Sequence, residues 1–183
     1  MRRGRPPANW TELLDWWAEQ QSGLLADLAD PEAPAWLPWP SYPPTTASWA
    51  RRQAHEAAIH RLDAEHARAG GDDPSAVPSL VFEPGFAADG IDELLVRMLP
   101  RRQDWDRFAV SGSALVHAAD AGRMWRIMLC SGEAPAIEAT AVAFDADVTI
   151  AGTADAVYRR VWGRPSHASV SGDVRLLEPL AAP

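Results

Sequence analysis

Residues 51–65 read RRQAHEAAIHRLDAE, and this stretch decides where the chain's chemistry is sought. At 3.6 residues per turn, Glu56 and His60 fall one turn apart on one helical face. Asp63 lies close to the same stripe, with Arg52 and Gln53 flanking it. A carboxylate and an imidazole so spaced can hold one divalent metal, and zinc, iron or nickel accept such ligands. A catalytic zinc normally takes three protein ligands and keeps one position open, and this helix supplies two. Spacing alone does not separate a metal pair from a solvated i,i+4 pair on an exposed helix. His55 and His66 point off the stripe. His55 reads as a packing residue or a support behind the pair, and His66 as a surface residue.

Working outward, alanines and arginines favour a helix from about Thr46 to Ala69, and Gly70-Gly71 ends it. Upstream, the proline density of residues 30–44, DPEAPAWLPWPSYPP, forbids helix and central strand. Trp36, Trp39 and Tyr42 in that loop call for burial, so it is expected to be ordered. Before it, Trp10, Leu13, Leu14, Trp17, Leu24, Leu25 and Leu28 keep helical spacing over residues 10–29, with Asn9 and Glu12 at capping-box spacing. Downstream, DDPSAVPSLVFEPG at 72–85 is rich in proline and sets an expected division into 1–72 and 73–183.

The remainder alternates. A helix is expected over Phe86 to Leu99, stopped by Pro100. Strands are expected over Phe108 to Ala118, Met124 to Cys130, Ile137 to Phe144, Asp147 to Ile150 and Ala168 to Ser171. A helix capped by Thr153 runs to Trp162 with Gly163 beyond it, and a last helix covers Val174 to Leu180. This order predicts an α+β chain: two helices first, then a small α/β domain. Cys130 reads as a buried small hydrophobe, and His117 as a satisfied sheet histidine.

Composition narrows the function. The net charge is -8 and the pI about 5.0, so the surface repels phosphate backbones and nucleic acid is not an expected partner. Arg2, Arg3 and Arg5 are too few to reverse this. No run of roughly 18 apolar residues exists, so no membrane span is expected, and no apolar segment follows the N-terminal charges as in a signal peptide. The single cysteine fits a reducing cytoplasm. Lysine is absent, which suggests a high-GC genome. Nine tryptophans is a high count, and five lie in the first forty residues. That face awaits another helix, a partner or a ligand, and a homodimer of two such hairpins would bury both faces.

The stretch WARRQAHEAAIHRLDAE resembles the metal-binding helix of the mycothiol-dependent maleylpyruvate isomerase family, a DinB-like (YfiT-like) bundle. PAWLPWP is similar to the aromatic stretch before that helix. FAADGIDELLVRMLPRR, LVHAADAGRMWRI and ADVTIAGTADAVYRRVWGR resemble the family's sterol-carrier-like C-terminal domain. The resemblance implies a divalent metal held by a first-helix histidine with Glu56 and His60. It implies mycothiol as thiol cofactor, a small unsaturated carboxylic acid as substrate, and Arg164 as the cation that fixes the substrate carboxylate. The first-helix histidine has no match here, so a partial bundle of two helices and an impaired isomerase are expected. The alternative is a non-catalytic module binding a hydrophobic ligand or a protein partner.

Overall fold

The computed structural model describes residues 5–182, so Arg2 and Arg3 lie outside the described residues. The fold is α+β: helices α1 (Trp10–Asp27), α2 (Thr46–Ala69), α3 (Pro84–Asp92) and α4 (Ala154–Val161) accompany a five-stranded sheet. The strands are β1 (Gly112–Ala118), β2 (Arg123–Leu129), β3 (Ala136–Thr140), β4 (Val148–Gly152) and β5 (Ser169–Gly172). The chain forms two compact units, 1–54 and 55–183, and they divide inside α2 and not at the proline-rich stretch 72–85. The reason is packing. Ile59 and Leu62 of α2 are buried in the core of the second unit.

In the first unit Asn9 caps α1 by accepting from the N–H groups of Thr11 and Glu12, which leaves fewer orphan donors. None of the α1 residues is buried, and Trp10, Leu14, Trp17, Leu24 and Leu25 are exposed. The loop after it is ordered through its backbone. Thr46 N–H donates to Ala33 O at 3.0 Å and Ala35 N–H to Pro44 O at 2.9 Å. Trp39 packs between Tyr42 and Trp49 with ring centroids 5.6 and 5.2 Å away. Trp36, expected inside, is exposed, because its part in the loop is its carbonyl, which accepts from Trp49 Nε1 at 2.8 Å.

In the second unit the sheet order is β3-β2-β1-β4-β5, parallel only between β1 and β4. Alternation sets its faces. Ala114, Val116 and Ala118 of β1 share a face with Trp125 and Ile127 of β2 and Val148 and Ile150 of β4, and all join one core. Helices α3 and α4 close that face with Ala87, Ile91, Val157 and Tyr158. The other face is more open, with Arg126 3.6 Å from Glu138 across β2 and β3.

Several expected elements differ in their ends. The helix expected to Leu99 runs as α3, then as a π-helical turn Glu93–Met98, then as a 3₁₀ turn Leu99–Arg101. Pro100 lacks an N–H for the α pattern, so the helical course continues only in another register. β3 ends at Thr140, where the threonine hydroxyl accepts from Val142 N–H at 3.1 Å and turns the chain. The first strand starts at Gly112 because Trp105–Arg107 form a 3₁₀ turn. Val174–Leu180 is 3₁₀ and not α, with Pro179 inside it. Cys130 lies past the end of β2 and is exposed, since the chain turns there and Glu133 N–H donates to the Cys130 carbonyl. Among the described residues no helix is long and apolar enough to cross a membrane.

Candidate functional site

From His55 onward α2 has two kinds of face. Its buried stripe is His55, Ile59, Leu62 and His66, at helical spacing. His66, expected at the surface, is therefore inside, and its Nδ1–H donates to Gly71 O at 3.0 Å. Beside this stripe stand Glu56, His60 and Asp63, with side chains 43, 62 and 39% exposed.

His55 is held from both sides. Its Nε2 lies 2.9 Å from Asp89 Oδ2, and its Nδ1 lies 3.1 Å from the Tyr158 hydroxyl. In the neutral ring Nε2–H donates to the carboxylate, and Nδ1 accepts from the phenol. Gly90 permits the approach of α3, for a Cβ there would lie 2.2 Å from Tyr158 Cε2 and 2.7 Å from His55 Nδ1. This cluster is a brace between α2, α3 and α4.

His60 is arranged otherwise. Its Nε2 lies 3.3 Å from Glu56 Oε1 and its Nδ1 3.1 Å from Asp63 Oδ2. Asp63 in turn accepts two bonds from Arg164, from Nε at 2.9 Å and from Nη2 at 2.8 Å. The remaining arm, Nη1, donates to the Trp162 carbonyl at 2.6 Å. The backbone beyond α4 aims this arginine. Gly163 adopts φ +72°, the left-handed conformation that ends helices, and Arg164 N–H returns to Arg159 O at 2.9 Å. The Arg164 hydrogen bond holds the Asp63 carboxyl below its ordinary value, against the opposing pull of partial burial. The same bond raises Arg164.

A cavity of about 470 Å³ opens here, lined by Asp63, Asp72, Arg160, Gly163, Arg164 and Pro165. Arg160 is exposed and makes no ion pair among the described residues. Sequence reasoning passed over it, since nothing in its spacing marks it. The Asp63–Arg164 pair also went unread, its members being 101 residues apart.

Glu56 and His60 suit a metal in one respect. Tetrahedral bonds of 2.0–2.1 Å put two ligands about 3.3–3.4 Å apart, and Nε2 and Oε1 are 3.3 Å apart. Asp63 cannot complete the set, because it faces the opposite ring nitrogen. Accordingly no group of three His, Cys, Asp or Glu able to hold an ion is present among the described residues. The spacing of two residues suits a metal, and no third ligand stands with them among the described residues.

Comparison with known proteins adds two family matches. The MDMPI C-terminal domain matches residues 85–179, and the mycothiol maleylpyruvate isomerase N-terminal domain matches residues 2–65. No curated protein and no solved structure matches the chain. The second match contains Glu56, His60 and Asp63, and the first contains Arg160 and Arg164. With the C-terminal match alone spanning more than half of the residues, the chain belongs to the mycothiol maleylpyruvate isomerase family.

Proposed function

We propose that this chain is a mycothiol-dependent, isomerase-type metalloprotein acting on a small unsaturated carboxylic acid, with Glu56 and His60 as its metal pair. The observation that carries the reading is the pair's 3.3 Å separation on a solvent-facing flank of α2, within the matched N-terminal domain. A bound thiol cofactor would supply reversible addition to a cis double bond, and a bound divalent ion, zinc first, the positive charge that favours thiolate and polarises a substrate oxygen. The chain's own residues bind and orient. His60 Nε2 and Glu56 Oε1 would hold the metal from one side and leave its outer side open.

The substrate carboxylate needs a cation with unspent donors. Arg164 lines the adjoining cavity, yet its charge is paired with Asp63 and three of its five N–H donors go to Asp63 and the Trp162 carbonyl. Arg160 lines the same cavity and makes no ion pair among the described residues, and we assign the carboxylate to it. Arg160 also lines a second, mostly apolar cavity of about 190 Å³ with Leu95, Val116, Ile150, Val161 and Leu177. That volume is below the roughly 300–1,000 Å³ of drug-sized sites and suits a short hydrocarbon arm.

The test is calorimetric titration of the full chain with zinc. One weak site is expected, lost in His60→Ala. Equal affinity in wild type and variant would remove the pair. In an absorbance assay with mycothiol and a cis-unsaturated keto-diacid, Arg160→Gln should raise KM more than it lowers kcat. A metal-loaded chain inactive on every such acid would sink the isomerase reading and leave the ligand-binding alternative.

A further inference from the structure

His60 has a carboxylate at each ring nitrogen, Asp63 at Nδ1 and Glu56 at Nε2. A neutral imidazole has one N–H and one lone pair, so it can donate to only one of them. Asp63 lies the nearer, 3.1 Å from Nδ1 against 3.3 Å for Glu56 at Nε2. Asp63 is gripped by a two-pronged guanidinium, and that guanidinium is tied to the Trp162 carbonyl and aimed by the turn at Gly163. Asp63 thus has a fixed place at which to receive Nδ1–H.

We infer that Asp63 and Arg164 are a positioning pair for His60. They keep the proton on Nδ1 and turn the Nε2 lone pair toward Glu56. The segment after α4 thereby sets how well the pair on α2 takes a metal. Only this last step rests on the metal reading; the tautomer does not. Neither residue touches the ion: Arg164 acts through Asp63, and Asp63 through the imidazole ring. A carboxylate behind a ligating histidine raises the basicity of the ligand and fixes its plane, and its loss typically costs about 10–100-fold in metal affinity. An exposed ion pair with no such role contributes little to stability and leaves ligand binding untouched.

The experiment has two readouts on the full chain. Nitrogen-15 imidazole spectra of the metal-free protein, taken where His60 is neutral, report the tautomer. Wild type should show Nδ1–H, and Asp63→Ala should move the proton to Nε2. Zinc calorimetry should show affinity falling about 10–100-fold in Asp63→Ala and less in Arg164→Gln. Arg164→Lys should fall between Arg164→Gln and wild type, because an ammonium restores charge but not the fork. If Asp63→Ala does not fold, Arg164→Gln carries both readouts, with a mixed tautomer expected. Unchanged tautomer and unchanged affinity in the variants overturn the inference. A wild type that binds no zinc, yet shows the Asp63-dependent tautomer, overturns the metal reading and upholds the positioning pair.

Discussion

His55 and His60 lie five residues apart on α2, and each has a carboxylate at Nε2: Asp89 for the first, Glu56 for the second. They differ at Nδ1. His55 meets the Tyr158 hydroxyl there, which can donate, so one ring proton satisfies the whole group. His60 meets a second acceptor, Asp63, so one ring proton cannot serve both of its neighbours. Exposure follows the same division, with His55 1% exposed and the His60 side chain 62%. A ring whose neighbours match its one donor and one lone pair can be buried, whereas a ring facing two acceptors stays in contact with solvent.

The strongest way to break this comparison is around the buried His55 ring. Gly90→Ala forces a Cβ to within 2.2 Å of Tyr158. Overpacking of a tight core costs about 1–3 kcal/mol, and the rigid ring puts this case at the upper end. Thermal unfolding should show a clear drop, and an unchanged midpoint would mean that α3 does not sit so close. His55→Ala should cost about 1–3 kcal/mol, since the Tyr158 hydroxyl and Asp89 lose their shared partner. His60→Ala should change stability by less than about 0.5 kcal/mol, as surface substitutions do, while abolishing zinc binding. A His60→Ala as destabilising as His55→Ala would erase the distinction between the two sites.

Acid sharpens the comparison further. Asp63 titrates below its ordinary 3.8, so its contribution is present above that value and fades as pH falls through the lower folded value. Asp63→Asn should flatten the acid limb of the stability curve slightly, as befits a carboxylate 39% exposed. An acid limb identical in the two proteins would show that the Arg164 pair is broken in solution. The smallest effect belongs to α1. Trp17→Gln should leave the unfolding midpoint nearly unchanged, Trp17 being exposed. If the exposed face of α1 pairs two copies, light scattering should show Trp17→Gln lowering the dimer fraction.

Local signals made much of this fold readable. Asn9 and Thr153 cap helices, and Gly70 and Gly163 end them at φ +79° and +72°, because these residue types satisfy or permit what a helix terminus needs. The runs that form β1 and β2 were readable as strands. What escaped was decided at a distance. His66 looked like a surface group until the His55-Ile59-Leu62-His66 stripe proved to be the buried one. Trp36 looked like a core residue, but the loop recruits its carbonyl and not its ring. Of the candidate site, Glu56 and His60 were legible from helical spacing. The grip of Arg164 on Asp63 was not, for it joins two segments with no shared pattern. Arg160 stands out only once the charge of Arg164 is seen to be paired with Asp63.

The uneven placement of the indoles has an optical consequence. Trp10, Trp17 and Trp36 face solvent in the first unit, while Trp105, Trp125 and Trp162 are buried in the second. The two sets should emit at different wavelengths and differ in collisional quenching by iodide. The native chain thus carries its own pair of fluorescent reporters. The blue-shifted, unquenched component follows the sheet and its covering helices, and the red-shifted, quenchable one follows α1 and its loop. Events in the first 54 residues can be watched separately from those in the remainder without attaching a label.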